Sequence, residues 1–218
     1  MKQPETGAET ILTLSAEPDP PLTEYTENHQ DPVSKEPPFF PVSEDKLMTL
    51  YILSFGLYGV YWFYKNWKCQ EHLMDKKIYP LWRAIFSIFF THSLFKRIDQ
   101  QASHLEQRHH FKANALATFF VFTIVASNVI DRVTMNIAML DNVSNSFIII
   151  TSLALLLLST YPLLRVQSTV NRINNDMLGY LNHRYSLANY VMMVIGTVIW
   201  LLIAVGLLLE SAGFVTKQ

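Results

Sequence analysis

Three runs without a charged residue dominate the second half of the chain. They are Ala113–Ile130 and Phe147–Leu164, 18 residues each, and Tyr190–Leu209, 20 residues. A helix crosses ~30 Å of hydrocarbon with about 20 apolar residues, and roughly 17–25 are tolerated. Each run therefore predicts a membrane span. Leu47–Tyr64 is a fourth uncharged run of 18 residues, but seven of them are aromatic. Trp and Tyr favour the headgroup level and lysines snorkel towards phosphate, so Tyr61, Trp62, Tyr64, Lys65, Trp67 and Lys68 read as an interfacial anchor. A simple span is the first reading of this run. A bend at Gly56 and Gly59 gives a second, a re-entrant hairpin, which at that depth requires cover from protein.

Shorter patterns fall between these runs. Leu81–Phe95 holds only twelve uncharged residues, Ala84–Phe95, between Arg83 and Lys96-Arg97. Trp82, Ile85, Phe86, Phe89 and Phe90 share one helical face, and Arg83, Ser87 and Thr91 share another. An in-plane helix at the membrane surface fits this length, with a short span as the alternative. Val166, Val170, Ile173, Met177 and Leu181 recur at helical spacing and predict an amphipathic helix to about Gly179. Gln167, Asn171, Asn174 and Asn175 then form its polar face, read as the wet side of an in-plane helix.

Composition adds a tail. Met1–Lys46 carries eight of the ten prolines and ten acidic against three basic residues. Such a segment buries too little apolar surface to offset the entropy of ordering, so it is expected to be disordered. The remainder is basic, and the basic residues are uneven. Nine of the seventeen Lys and Arg lie in Lys65–Lys112, three in Arg165–Asn189, and Asp131–Ser146 has only Arg132. Positive charge marks the cytoplasmic side. Residues 65–112 and 165–189 are thus expected inside and the C-terminus, 210–218, outside; the side of the tail depends on whether Leu47–Tyr64 spans.

Chemistry is sparse. Cys69 is the single cysteine, which excludes an intrachain disulfide. His104, His109 and His110 lack metal-ligand spacing, so no metal is expected. Walker, dinucleotide, nucleophile-elbow and zinc-protease signatures are missing, and no cofactor is expected. The three firm spans hold no ionisable group of the kind that marks an ion pathway. His92 reads as a satisfied interfacial histidine, Pro162 as a structural feature near a span border, and Asn142-Val143-Ser144 matches a glycosylation acceptor. The candidate polar and lipid-contact cluster is Arg83, Lys96, Arg97, Gln167, Asn171, Arg172 and Asn174. The basic positions, Lys76 and Lys77 among them, suit anionic lipid. Dispersed beside a membrane, they do not suit nucleic acid.

Phe55–Lys68 (FGLYGVYWFYKNWK), Tyr79–Ile98 (YPLWRAIFSIFFTHSLFKRI) and Tyr161–Asn174 (YPLLRVQSTVNRIN) together resemble a family of uncharacterised bacterial integral membrane proteins. The resemblance implies a bacterial inner membrane and carries no activity or catalytic residue. The expectation is an all-α polytopic bundle: a tail over 1–46, four spans and a short helix within 47–209, and a short C-terminal tail. Its expected role is that of a non-enzymatic membrane component that meets lipid, membrane-protein partners or further copies of itself. The alternatives are a small channel or carrier, or a lipid-acting enzyme using Arg83, His92, Arg97 and Gln167–Asn174.

Overall fold

The computed structural model describes residues 37–104, 112–137 and 145–212. Their regular structure is helical throughout: α1 (Glu44–Leu53), α2 (Leu57–Gln70), α3 (Pro80–Ile85), α4 (Ser87–Ala102), α5 (Ala113–Ile137), α6 (Asn145–Ile173) and α7 (Leu187–Ser211). Single 3₁₀ turns at Glu71–Leu73 and Tyr180–Asn182 complete it. The tail up to residue 36, His109, His110, the Asn142 sequon and residues 213–218 lie outside the described residues.

α5, α6 and α7 are long and apolar enough to cross a membrane. They contain the three expected uncharged runs and extend past them. At 1.5 Å per residue the 29 residues of α6 reach about 44 Å, well beyond ~30 Å of hydrocarbon. The excess forms a head at one end. There the last turns of α6 and the first turns of α5 pack with α2 and α4 around Trp62, Phe63, Phe95, Phe120, Leu163 and Val166. Phe63 is the hub: its ring stacks on Phe95 at 6.4 Å and meets Trp62 at 5.1 Å and Phe120 at 5.7 Å. Away from the head the helices are bare. At the far ends Ser152 donates to Asp131 and Ser146 to Glu210, each at 2.7 Å, so α6 is tied to α5 and to α7.

Leu47–Tyr64 does not form one helix. Phe55 and Gly56 adopt positive φ, 53° and 88°, and the chain turns back between α1 and α2. Only glycine takes such a φ without strain, which is why the break falls at Gly56. Tyr51 packs edge-on against Gly59, where any Cβ would lie 2.8 Å from its ring. The turn's polar groups are answered by protein. Gly56 N–H donates to Tyr51 O, Tyr58 N–H to Ser54 Oγ, and Trp200 Nε1 on α7 to Ile52 O. Such cover is what irregular backbone requires at membrane depth. Tyr51 shares a 2.7 Å hydrogen bond with Ser159, and Gly196 on α7 admits the Leu53 carbonyl where a side chain would collide. The tip of the hairpin thus sits against the middle of α6 and α7, and both its ends return to the head.

Two other elements depart from the pattern reading. Leu81–Phe95 is divided at Phe86 into α3 and α4, and the apolar face expected of an in-plane helix is the exposed one. Trp82, Ile85, Phe86 and Phe89 are exposed, whereas Thr91 is fully buried and donates to Ser87 O. Outward apolar and inward polar groups are the arrangement a lipid solvent favours. Val166–Leu181 is not a separate in-plane helix. α6 runs unbroken through Pro162 to Ile173 and stops at Asn175, not Gly179. Asn175 has φ 55°, and Asp176 N–H caps the Asn171 carbonyl at 2.8 Å.

Candidate functional site

The expected tail is ordered from residue 37, and there it becomes the centre of the head. Pro37–Ser43 crosses α2 and α6 as a strap without regular structure, bent at Pro38 and Phe39, with Phe39 and Val42 fully buried. Its prolines remove N–H groups and so keep it from pairing as helix or sheet. Its carbonyls still need donors once buried. Amide side chains supply them one by one. Gln70 Nε2 donates to Pro38 O at 2.8 Å, Asn174 Nδ2 to Phe39 O at 2.9 Å and Gln167 Nε2 to Phe40 O at 3.3 Å. Asn182 Nδ2 donates to Pro41 O and Asn171 Nδ2 to Val42 O, both at 3.0 Å. Five consecutive carbonyls are therefore taken by five different amides. Asn66 Oδ1 accepts from Phe40 N–H at 3.2 Å, completing the strap's pairing on α2.

Helix geometry explains the set. Gln167, Asn171 and Asn174 recur along one face of α6 and its cap, and Asn66 and Gln70 sit one turn apart on α2. The amides also fix one another. Gln167 Nε2 donates to Asn171 Oδ1 at 2.7 Å, and Gln167 Oε1 accepts from Trp62 Nε1. Gly179, at φ 69°, brings the following loop against the strap; a Cβ there would lie 2.5 Å from Ser43 Cα. Ser43 Oγ then caps α1 by accepting from Lys46 N–H, with Glu44 and Asp45 in the positive first turn. Lys46 is buried beside it and donates to Asn182 Oδ1 at 2.7 Å and Arg184 O at 2.6 Å.

The wet-face reading of Gln167 and Asn171 is overturned. Both are fully buried, because the strap covers the face that pattern alone left to water. Asn174 is turned to the strap as well, while Arg172 and Lys96 stay apart from the clamp. Within the expected anchor, Trp62 and Trp67 are fully buried core residues, whereas Tyr61 and Lys68 are exposed. Lys65 stands 5.4 Å over the Phe40 ring, and Lys68 pairs with Glu71. His92 meets Thr118 Oγ1 at 3.1 Å across α4 and α5.

The remaining candidates, Arg83 and Arg97, come together beside the clamp. The Arg83 guanidinium lies 4.4 Å from the centroid of Trp67 and 5.1 Å from that of Phe90. Burial, and secondarily the charge of Arg97, lower its pKa from the ordinary arginine value. Arg97 Nη1 donates to Gln70 Oε1 at 3.1 Å. The residues named for a lipid-acting enzyme are thus divided: the amides serve the strap, His92 meets α5, Arg83 sits on Trp67 and Phe90, and Arg97 is joined to the strap through Gln70. Asn66, Gln70, Asn182 and the strap itself escaped the sequence reading. Phe39, Phe40 and Val42 among prolines, and two amides one turn apart in an aromatic helix, were the available signals.

No family model, curated protein or solved structure matches the chain.

Proposed function

We propose that this chain is a non-enzymatic component of a bacterial inner membrane that assembles with membrane-protein partners or further copies and with anionic lipid. One observation carries the reading. α7 turns an almost continuous apolar surface outward, from Leu187, Val191, Val194 and Val198 to Leu202 and Val205, while it meets the rest of the molecule along one side through Met192, Met193, Gly196, Trp200 and Glu210. Without water to drive apolar helices together, such a surface rests against lipid or against packed partner helices. Most polar groups buried in the head are meanwhile spent on holding its own chain, Trp67 Nε1 and Asn174 Oδ1 excepted. The bacterial placement rests on the resemblance of the three sequence blocks.

The orientation proposed has 65–112, 165–189 and the N-terminal tail in the cytoplasm and the C-terminus outside. The return of the α1–α2 hairpin to the head supports it, since a hairpin that enters and leaves on one side leaves fifteen Lys and Arg inside and two outside. Photo-crosslinking along α7 in native membranes tests the function and should capture a discrete protein adduct. Solute or ion flux through liposomes holding the purified protein alone would instead establish a channel or carrier. Impermeant thiol labelling tests the orientation: His109→Cys should react only from the cytoplasm and Asn142→Cys only from outside.

A further inference from the structure

The head of the molecule holds two arginines that no carboxylate among the described residues neutralises. Among the described residues the ion pair near them joins Lys68 to Glu71, and neither Arg83 nor Arg97 pairs with a carboxylate. Their positions are fixed. Arg83 lies against the rings of Trp67 and Phe90, which meet edge-on, in a cation–π seat that positions its guanidinium. Arg97 is held through Gln70, whose Nε2 is committed to Pro38 O, so that its Oε1 has to face the guanidinium. The strap therefore orients Gln70, and Gln70 orients Arg97. Two neighbouring cations repel each other, and an anion between them would relieve that repulsion.

What surrounds the pair narrows the anion. Trp82, Ile85, Phe86 and Phe89 form an exposed apolar face on the same two helices, and the Lys76-Lys77 turn leads into it. Trp82 and Phe86 stack at 5.9 Å as one broad surface. An acid head beside apolar chains matches that juxtaposition, and a guanidinium fork suits phosphate geometry.

We propose that Arg83 and Arg97 receive the phosphate of one anionic phospholipid, whose acyl chains lie along Trp82, Ile85, Phe86 and Phe89. The proposal rests on the membrane reading and gives it a defined lipid site. Lipid phosphate, in place of free phosphate, is favoured because α3 and α4, which carry the two arginines, also carry the exposed aromatic face.

Native mass spectrometry of the full chain, exchanged from phosphatidylcholine nanodiscs containing phosphatidylglycerol into detergent, tests it. Wild-type protein should retain phosphatidylglycerol in preference to phosphatidylcholine and to diacylglycerol. Arg83→Gln with Arg97→Gln should lower retention about tenfold, equivalent to ~1.4 kcal/mol. Arg97→Lys, which keeps the charge and a donor for Gln70, should fall between. Equal retention by the double arginine variant overturns the site, and so does wild-type retention that ignores headgroup. Displacement of lipid by millimolar inorganic phosphate, with no preference for phosphatidylglycerol, assigns the pair to a soluble anion and overturns the lipid. Alkaline extraction separates the two levels: protein released from the membrane refutes the membrane reading, whereas integrated protein with unselective retention refutes the phosphate site alone.

Discussion

Trp62 Nε1 donates to Gln167 Oε1 across 2.6 Å, and both side chains are fully buried. This bond joins the aromatic helix to the end of the long span at the point where the strap crosses them. Gln167 uses its amide on both sides, accepting from Trp62 and donating to Phe40 O and Asn171 Oδ1.

Gln167→Leu should leave an indole N–H and two acceptors without their partner. An unsatisfied buried group costs about 1–3 kcal/mol, so the head should lose several kcal/mol in total. Trp62→Phe alone should cost less, and the double variant less than the sum of the two, because the same bond is lost once. Denaturant titration in detergent, followed by tryptophan fluorescence of Trp67, checks both claims; additive costs would refute the coupling.

Chain truncation should divide sharply at the strap. Protein beginning at Pro37 keeps each carbonyl that the clamp receives and should elute as a monodisperse species in detergent. Protein beginning at Glu44 leaves Gln70, Gln167, Asn171, Asn174 and Asn182 without those acceptors and should aggregate or be degraded. Phe39→Ala should lie between, at about 3–5 kcal/mol, the usual cost of removing a buried aromatic ring.

Two glycines should tolerate no side chain. Gly179→Ala adds a Cβ 2.5 Å from Ser43 Cα on a backbone with φ 69°, so strain and collision combine. Gly196→Val should drive α7 from the Leu53 carbonyl and break the Trp200 bond to Ile52 O. Both should lower the thermal midpoint by several degrees. Gly206→Ala, which meets no atom within 4 Å, should leave it unchanged.

The hairpin predicts an accessibility pattern that a straight span does not. With Cys69 replaced by Ser, Asp45→Cys and Lys68→Cys should react with an impermeant maleimide from the same side of the membrane. Leu57→Cys, at the tip, should react from neither side. Labelling of Asp45→Cys and Lys68→Cys from opposite sides would refute the hairpin.

Several of these features are legible in the sequence. Gln167, Asn171 and Asn174 fall on one helical face by spacing, and the glycines at 56 and 59 marked a place where the aromatic run could turn. What spacing could not say is which solvent the amide face meets. That depends on a strap 127 residues away in the chain, between Phe40 and Gln167, and no local pattern encodes so distant a contact. The break in Leu81–Phe95 has a related cause. Periodicity finds the apolar face of Trp82, Ile85, Phe86 and Phe89, but the division at Phe86 comes with packing against α2 and α5.

By itself, then, the sequence determined the spans, because about 20 uncharged apolar residues have few other stable homes than hydrocarbon. It also determined the basic flanks and the helical faces, which follow from composition and the turn of the helix. Only the tertiary structure decided that Leu47–Tyr64 folds back, that the amides face inward, and that the last prolines of the tail form the centre of the head. The physical reason is the same in each case. A buried backbone polar group must find a partner, and for the hairpin turn and the strap those partners are contributed by helices remote in sequence.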